Sequence, residues 1–162
     1  MPAGKTYTPL ATTTLSSAAA SVTFSSIPGT YTDLVLVGAL DMTAGLDFWF
    51  RVNSDTGTNY SMTRLTGNGT TAASFRISNE SKIYINFSAT SGEQNFIMHF
   101  MNYSNTTTYK TILKRFNNAA SDLVARVGLW RSTSAITSIL VQTDSSTFKA
   151  GSTFTLYGIL AA

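Results

Sequence analysis

Side chains able to carry acid–base chemistry are few in this sequence. His99 is the single histidine, and it lies between Met98 and Phe100 in an alternating segment. A general base needs an orienting partner, and a metal site needs several ligands close together. Partners for His99 would have to come from distant segments, so we interpret it as a non-catalytic side chain.

The carboxylates are scattered, and no motif selects a catalytic pair such as a glycosidase needs. Asp41 and Asp47 flank a turn that contains Gly45, and Asp55 lies in the loop 53–59. Both loops are rich in oxygen ligands, but the Asp-rich calcium loop with its terminal Glu is missing. We favour solvated turns, with calcium binding as the alternative, and predict no enzyme and no cofactor.

Several kinds of site and partner are excluded by composition. The chain has no cysteine, so it has neither disulfides nor thiolate ligands. Its net charge is +3, and the one basic cluster, Lys110, Lys114 and Arg115, resembles a solvated strand edge more than a nucleic-acid surface. No apolar run is long enough to span a membrane. The N-terminal stretch is too polar for a signal peptide, which favours synthesis in a cytoplasm.

Alternation of apolar and polar residues runs through most of the chain and predicts β-structure. Charged residues are only 12%, whereas hydrophobic residues are 43%, enough for a folded core. We predict about ten strands at the spacing of a sandwich, in the segments Val22–Phe24, Leu34–Val37, Leu46–Val52, Tyr60–Leu65, Phe75–Ser78, Ile83–Phe87, Phe96–Met101, Tyr109–Phe116, Leu123–Trp130, Ile136–Thr143 and Phe154–Ile159. The predicted fold is all-β: one antiparallel, jelly-roll-like β-sandwich over residues 15–162.

Residues 1–14 differ from the rest, because they contain Pro2, Gly4 and Pro9 and show no sustained alternation. We predict an N-terminal arm that orders on a partner. Tyr7, Pro9 and Leu10 are its candidate contact residues.

Trp49 lies on the face of its predicted strand that points away from the core. It alternates with the apolar residues of its strand and shares a face with Arg51. Aromatic residues in such positions are enriched at interfaces. We therefore predict that Trp49 and Arg51 contact another subunit or that Trp49 is partly buried, with a ligand platform as the alternative.

Three segments in fixed order resemble a module of virion proteins from tailed bacteriophages. They are SVTFSSIPGTYTDLVLVG at 21–38, VNSDTGTNYS at 52–61, and GLWRSTSAITSI with FKAGSTFTLYGI within 128–159. The resemblance implies a sandwich fold and a place in the virion of a phage assembled in a bacterial cytoplasm.

Two roles are open within that context. One is a capsid decoration, or cement, protein that binds the outside of the major capsid protein shell. The other is a tail-fibre or tail-tip domain that binds host glycans. The length of one domain and the absence of a coiled-coil shaft favour decoration. The resemblance also implies a homotrimer.

Overall fold

Two antiparallel sheets make up the computed structural model of this chain, which describes residues 6–43, 48–86, 92–118 and 122–160. The strands are β1 (Tyr7–Thr14), β2 (Ser21–Phe24), β3 (Asp33–Met42), β4 (Phe48–Val52), β5 (Tyr60–Gly67), β6 (Ala72–Glu80), β7 (Ile83–Asn86), β8 (Gly92–Met101), β9 (Lys110–Asn118), β10 (Asp122–Trp130), β11 (Ile139–Thr143) and β12 (Thr153–Ile159). The prediction of an all-β, jelly-roll-like sandwich is confirmed.

The sheets differ in width. The larger one has the strand order β1-β12-β3-β8-β9-β10-β5-β6, and the smaller one has the order β2-β11-β4-β7. Four strands therefore face eight. The small sheet covers the middle of the large one, and β7 is the last of its strands on the side of β5 and β9.

The core lies between the sheets and is rich in phenylalanine. The ring of Phe48 on β4 packs against Phe96, Phe116 and Phe148, with centroids 5.8–6.2 Å apart. Phe148 also meets Phe154 of β12 edge to face at 5.1 Å. Because these rings come from both sheets, their contacts fix how the sheets stack.

Every segment predicted as a strand from residue 21 onward contains one. The segment Leu34–Val37, apolar at every position, lies in β3, which pairs with β12 on one side and β8 on the other. Its inner side chains are buried, whereas on its outer face Val35 is buried and Val37 is exposed. Leu46 and Asp47 lie outside the described residues.

The prediction that residues 1–14 lack strand structure was wrong for residues 7–14, which form β1 and pair with β12. A bulge between Pro9 and Ala11 interrupts the register, and most side chains of β1 are exposed. An edge strand with a proline, a bulge and threonines on both faces gives no alternating signal. Main-chain pairing holds β1, while residues 1–5 lie outside the described part of the chain.

Gly38 allows the close packing of β3 on its neighbours. A Cβ at this position would overlap the ring of Phe96, which is buried in the core. We expect Gly38→Ala to lower the free energy of unfolding by about 1–3 kcal/mol, as over-packing does. Gly67→Ala is the matched control, because a Cβ at Gly67 meets nothing within 4 Å. Equal stabilities of the two variants in urea denaturation would contradict this packing.

Candidate functional site

The loop 53–59 is built by side chains that bond to the main chain. Asn53 has φ 50°, in the left-handed region that asparagine tolerates. Its Nδ2 donates to the carbonyl oxygen of Ala135 at 2.7 Å, and its Oδ1 accepts from the amides of Thr137 (2.8 Å) and Ser138 (3.2 Å). Asn53 thus ties this loop to the loop that precedes β11.

Asp55 is the centre of the same loop. Its Oδ1 accepts from the amide of Gly57 at 2.8 Å, and its Oδ2 accepts from Nδ2 of Asn59 (2.9 Å) and Nε1 of Trp130 (2.6 Å). Burial alone would raise the pKa of Asp55, but the hydrogen bonds from Trp130, Asn59 and Gly57 hold it below the ordinary value. The carboxylate serves as a structural acceptor rather than as a cation ligand.

Tyr60 closes the loop from inside the sandwich. Its hydroxyl lies 3.2 Å from the carbonyl oxygens of Val52 and Asp55 and accepts from the amide of Val52 at 3.3 Å. Burial raises the pKa of Tyr60 above its ordinary value of 10.0. On the neighbouring loop, the amide of Ile27 donates to the carbonyl oxygen of Thr137 at 3.0 Å. The three segments that carry the resemblance therefore meet at one end of the sandwich and serve its structure there.

The lowered pKa of Asp55 makes this loop sensitive to acid. A carboxyl group whose pKa is lower in the folded state stabilises the fold above its unfolded value and loses that effect as pH falls. We expect the native chain to lose stability below about pH 3.8, and Asp55→Asn to have a smaller loss over the same range. Urea denaturation followed by tryptophan fluorescence at several pH values measures this difference. Parallel pH profiles for the two proteins would contradict it.

Trp49 lies on the outer face of the small sheet, yet it is only 5% exposed. Its Nε1 donates to Oδ1 of Asp144 at 2.6 Å, and Nζ of Lys82 donates to the same oxygen at 2.7 Å. The Lys82 ammonium and the Arg51 guanidinium lie 4.7 and 4.8 Å from the Trp49 ring centre. Because cations of the chain itself cover the indole, a sugar has little open ring on which to stack.

The five candidate contact residues do not form one site. Tyr7, Pro9 and Leu10 lie on β1 of the large sheet, where Leu10 is partly buried against the core and Tyr7 is half exposed. Trp49 and Arg51 lie on β4 of the small sheet. Their role as partner contacts stays a prediction.

The basic cluster is not a solvated edge. β9 is an inner strand between β8 and β10, so Lys110 and Lys114 point into the sandwich and are buried, while Arg115 points outward. The Nζ of Lys114 and the NH1 of Arg126 both donate to the carbonyl oxygen of Tyr84 on β7. The interpretation as an exposed edge was wrong because strand order cannot be read from spacing.

Burial, followed by the charge of Arg126, lowers the pKa of Lys114 well below 10.5. A lysine whose pKa is lowered by folding opposes folding when protonated, and this cost fades as pH rises toward the unfolded value. We expect Lys114→Met to be about 1–4 kcal/mol more stable than the native chain at neutral pH, with a smaller gap at pH 10. Denaturation of both proteins at the two pH values tests this, and a gap that widened with pH would contradict it.

The outward side chains of β3, β8, β9 and β10 form a second surface, here called the outer apolar face. Its residues lie in register across the strands and comprise Val35, Val37, Ile97, His99, Leu113, Arg115, Ala125 and Val127. All of them except Val37 line a hollow of about 610 Å³ together with Tyr7 and Leu65. The sequence carried a signal for this face, because β3 and β10 are apolar at successive positions.

His99 has a carboxylate partner that lies far away in the sequence. Its Nε2 is 2.7 Å from Oδ2 of Asp33, whose Oδ1 accepts from the amide of Asn102 at 2.6 Å. Asp33 thereby links the start of β3 to the end of β8. Across the strands, the neighbours of His99 are Val35 and Leu113, which offer no nucleophile.

No cluster of three or more His, Cys, Asp or Glu side chains suited to a metal is present among the described residues. Asp41 forms an ion pair with Lys149 at 2.9 Å, and Asp47 lies outside the described part. No helix in the described ranges is long and apolar enough to cross a membrane.

We compared the chain with protein families, curated proteins and solved structures. No protein-family model matches the chain, and no curated protein matches it. A crystal structure of galectin LEC-6 from Caenorhabditis elegans is similar over 93% of this chain and 96% of that one, with 11% sequence identity and a TM-score of 0.39. The likeness concerns the all-β sandwich architecture alone.

Proposed function

We propose that this chain is a bacteriophage virion structural protein, a capsid decoration protein that binds the outside of the major capsid protein shell. The observation that carries this proposal is the outer apolar face. The resemblance of three segments to phage virion modules supports the context, and the face supplies a surface for a large protein partner.

A sheet face that meets water ordinarily carries polar side chains. On the outer apolar face, Leu113 is 41% and Val127 is 46% exposed, and only His99 and Arg115 carry ionisable groups. Continuous apolar surface on a folded chain marks sites of protein association. A protein whose outer sheet face is built this way is suited to lie against another protein.

The chemistry of the face favours a protein surface over a host glycan. Sites for small polar ligands bring several polar groups together, whereas aliphatic side chains predominate here. One of the two ionisable groups, His99, is already engaged by Asp33. Tyr7 lines the same hollow, so the start of β1 extends the face that we propose to contact the shell. In this proposal, residues 7–14 contribute to shell binding as the strand β1, which is paired with β12.

As part of the same proposal, the chain forms a homotrimer. It is made in the host bacterial cytoplasm and is located in the virion. We propose neither a nucleic-acid nor a membrane partner, since the cations Lys110 and Lys114 are buried. Light scattering of the purified chain tests the trimer directly, through its mass.

Shell binding can be tested by placing a charge on the outer apolar face. We expect Leu113→Asp to weaken co-sedimentation with purified capsids about tenfold or more, because a desolvated carboxylate would oppose contact. Thr23→Asp is the control, since Thr23 is exposed on β2 of the other sheet. Circular dichroism checks that both variants are folded.

Equal binding by Leu113→Asp and the native chain would contradict a role for this face. A native chain that ignored capsids and bound host cells or their glycans would replace the decoration proposal with the tail-tip alternative.

A further inference from the structure

Among the residues that the structure describes, the sandwich has four edge strands, and three of them are protected against pairing with another chain. β1 carries Pro9, which has no amide hydrogen, and the bulge beside it. β2 and β7 have four residues each. On β7, the carbonyl oxygen of Tyr84 already accepts from Lys114 and Arg126. Prolines, bulges, short edges and inward-pointing charges are the usual means by which proteins prevent edge-to-edge association.

β6 has none of these protections along most of its length. It forms the other edge of the large sheet and, in the described part of the chain, pairs with β5 alone. From Ala72 to Ser78 the register is regular, and the irregularity comes only after Ser78, at Asn79 with φ 61°. This segment, AASFRIS, contains no proline and no lysine.

The inward-pointing side chains of β6 are also unusually exposed to solvent. Phe75 and Ile77 point to the inner side of the large sheet, since they pair with Arg64 and with the buried Met62. Phe75 is nevertheless 48% exposed, because the small sheet ends at β7. The resulting hollow of about 390 Å³ is lined by Arg64, Phe75, Ile77, Glu80 and Tyr84.

We propose that β6 is a self-association edge, which pairs antiparallel with β6 of a second copy of this chain across a two-fold axis. The two large sheets then join into one continuous sheet. The contact is separate from the outer apolar face and does not depend on shell binding.

The sequence of the segment is suited to a two-fold axis. Full overlap of residues 72–78 with the same residues of a second copy centres the pair on Phe75. Phe75 then faces the partner's Phe75, where aromatic cross-strand pairs are favourable. Arg76 faces the partner's Ser74, so no like charges are directly opposite. The two Arg76 side chains lie diagonally on the exposed face, where salt screens them.

The absence of cysteine makes this register testable by cross-linking. Directly paired residues of antiparallel strands have Cα atoms about 4.5–5.5 Å apart, within the range that a disulfide spans. We expect Phe75→Cys to form a disulfide-linked dimer under mild oxidation. Leu65→Cys is the matched control, because Leu65 is 59% exposed but lies on β5, away from the edge.

Offset positions test the register itself. Ala72→Cys alone and Ser78→Cys alone should stay monomeric on denaturing gels, because in full overlap each lies about 20 Å from its own copy, six residues away. A mixture of the two variants should cross-link, since each position faces the other. Cross-linking of Phe75→Cys no faster than Leu65→Cys would overturn the proposal, and so would cross-linking of Ala72→Cys with itself.

Light scattering over a concentration series gives the second readout. At high concentration, Phe75→Asp should have half the mass of the native particle, because two carboxylates would meet at the axis. The mass should be halved whether the particle without this contact is a monomer or a trimer. The mass of Phe75→Asp itself then shows whether the chain forms a trimer, independently of the β6 contact. A native mass that Phe75→Asp leaves unchanged at every concentration would overturn the β6 contact.

Discussion

The two sheets differ in width, and most other features of the structure follow from this difference. Four strands can bury the inner side chains of only part of an eight-stranded sheet. The phenylalanine cluster around Phe48 fills the shared part. Beyond β7 the inner face of β5 and β6 is partly open, and the cations Lys114 and Arg126 satisfy the carbonyl of Tyr84 at that border. The wide sheet also leaves a broad outward surface, the outer apolar face.

Much of this fold follows from local sequence. Alternation over Leu46–Val52 predicts β4, and the segment Leu34–Val37, apolar at every position, predicts an inner strand, as β3 is. The loop 53–59 is recognisable from the turn preferences of Asn, Asp and Gly. The structural role of that loop could not be predicted, because the hydrogen bond from Trp130 to Asp55 joins residues 75 positions apart.

The rest depends on strand order, which single segments do not encode. Spacing places Lys110 and Lys114 on one face of a strand but does not say whether that face is inside. β1 escaped prediction because its pairing with β12 relies on main-chain bonds and on a bulge at Pro9. The partner of His99, Asp33, is brought to it only by the pairing of β3 with β8. The candidate site was accordingly the least predictable part.

We propose that the outer apolar face lies against a capsid shell. Electron cryomicroscopy of purified capsids mixed with the native chain can decide this, because the two sheets of the sandwich differ in width and can be told apart in a density map. We expect density on the outside of the shell, with the eight-stranded sheet turned toward it and Leu113 and Val127 at the contact. Bare capsids, or density in which the four-stranded sheet faces the shell, would contradict it.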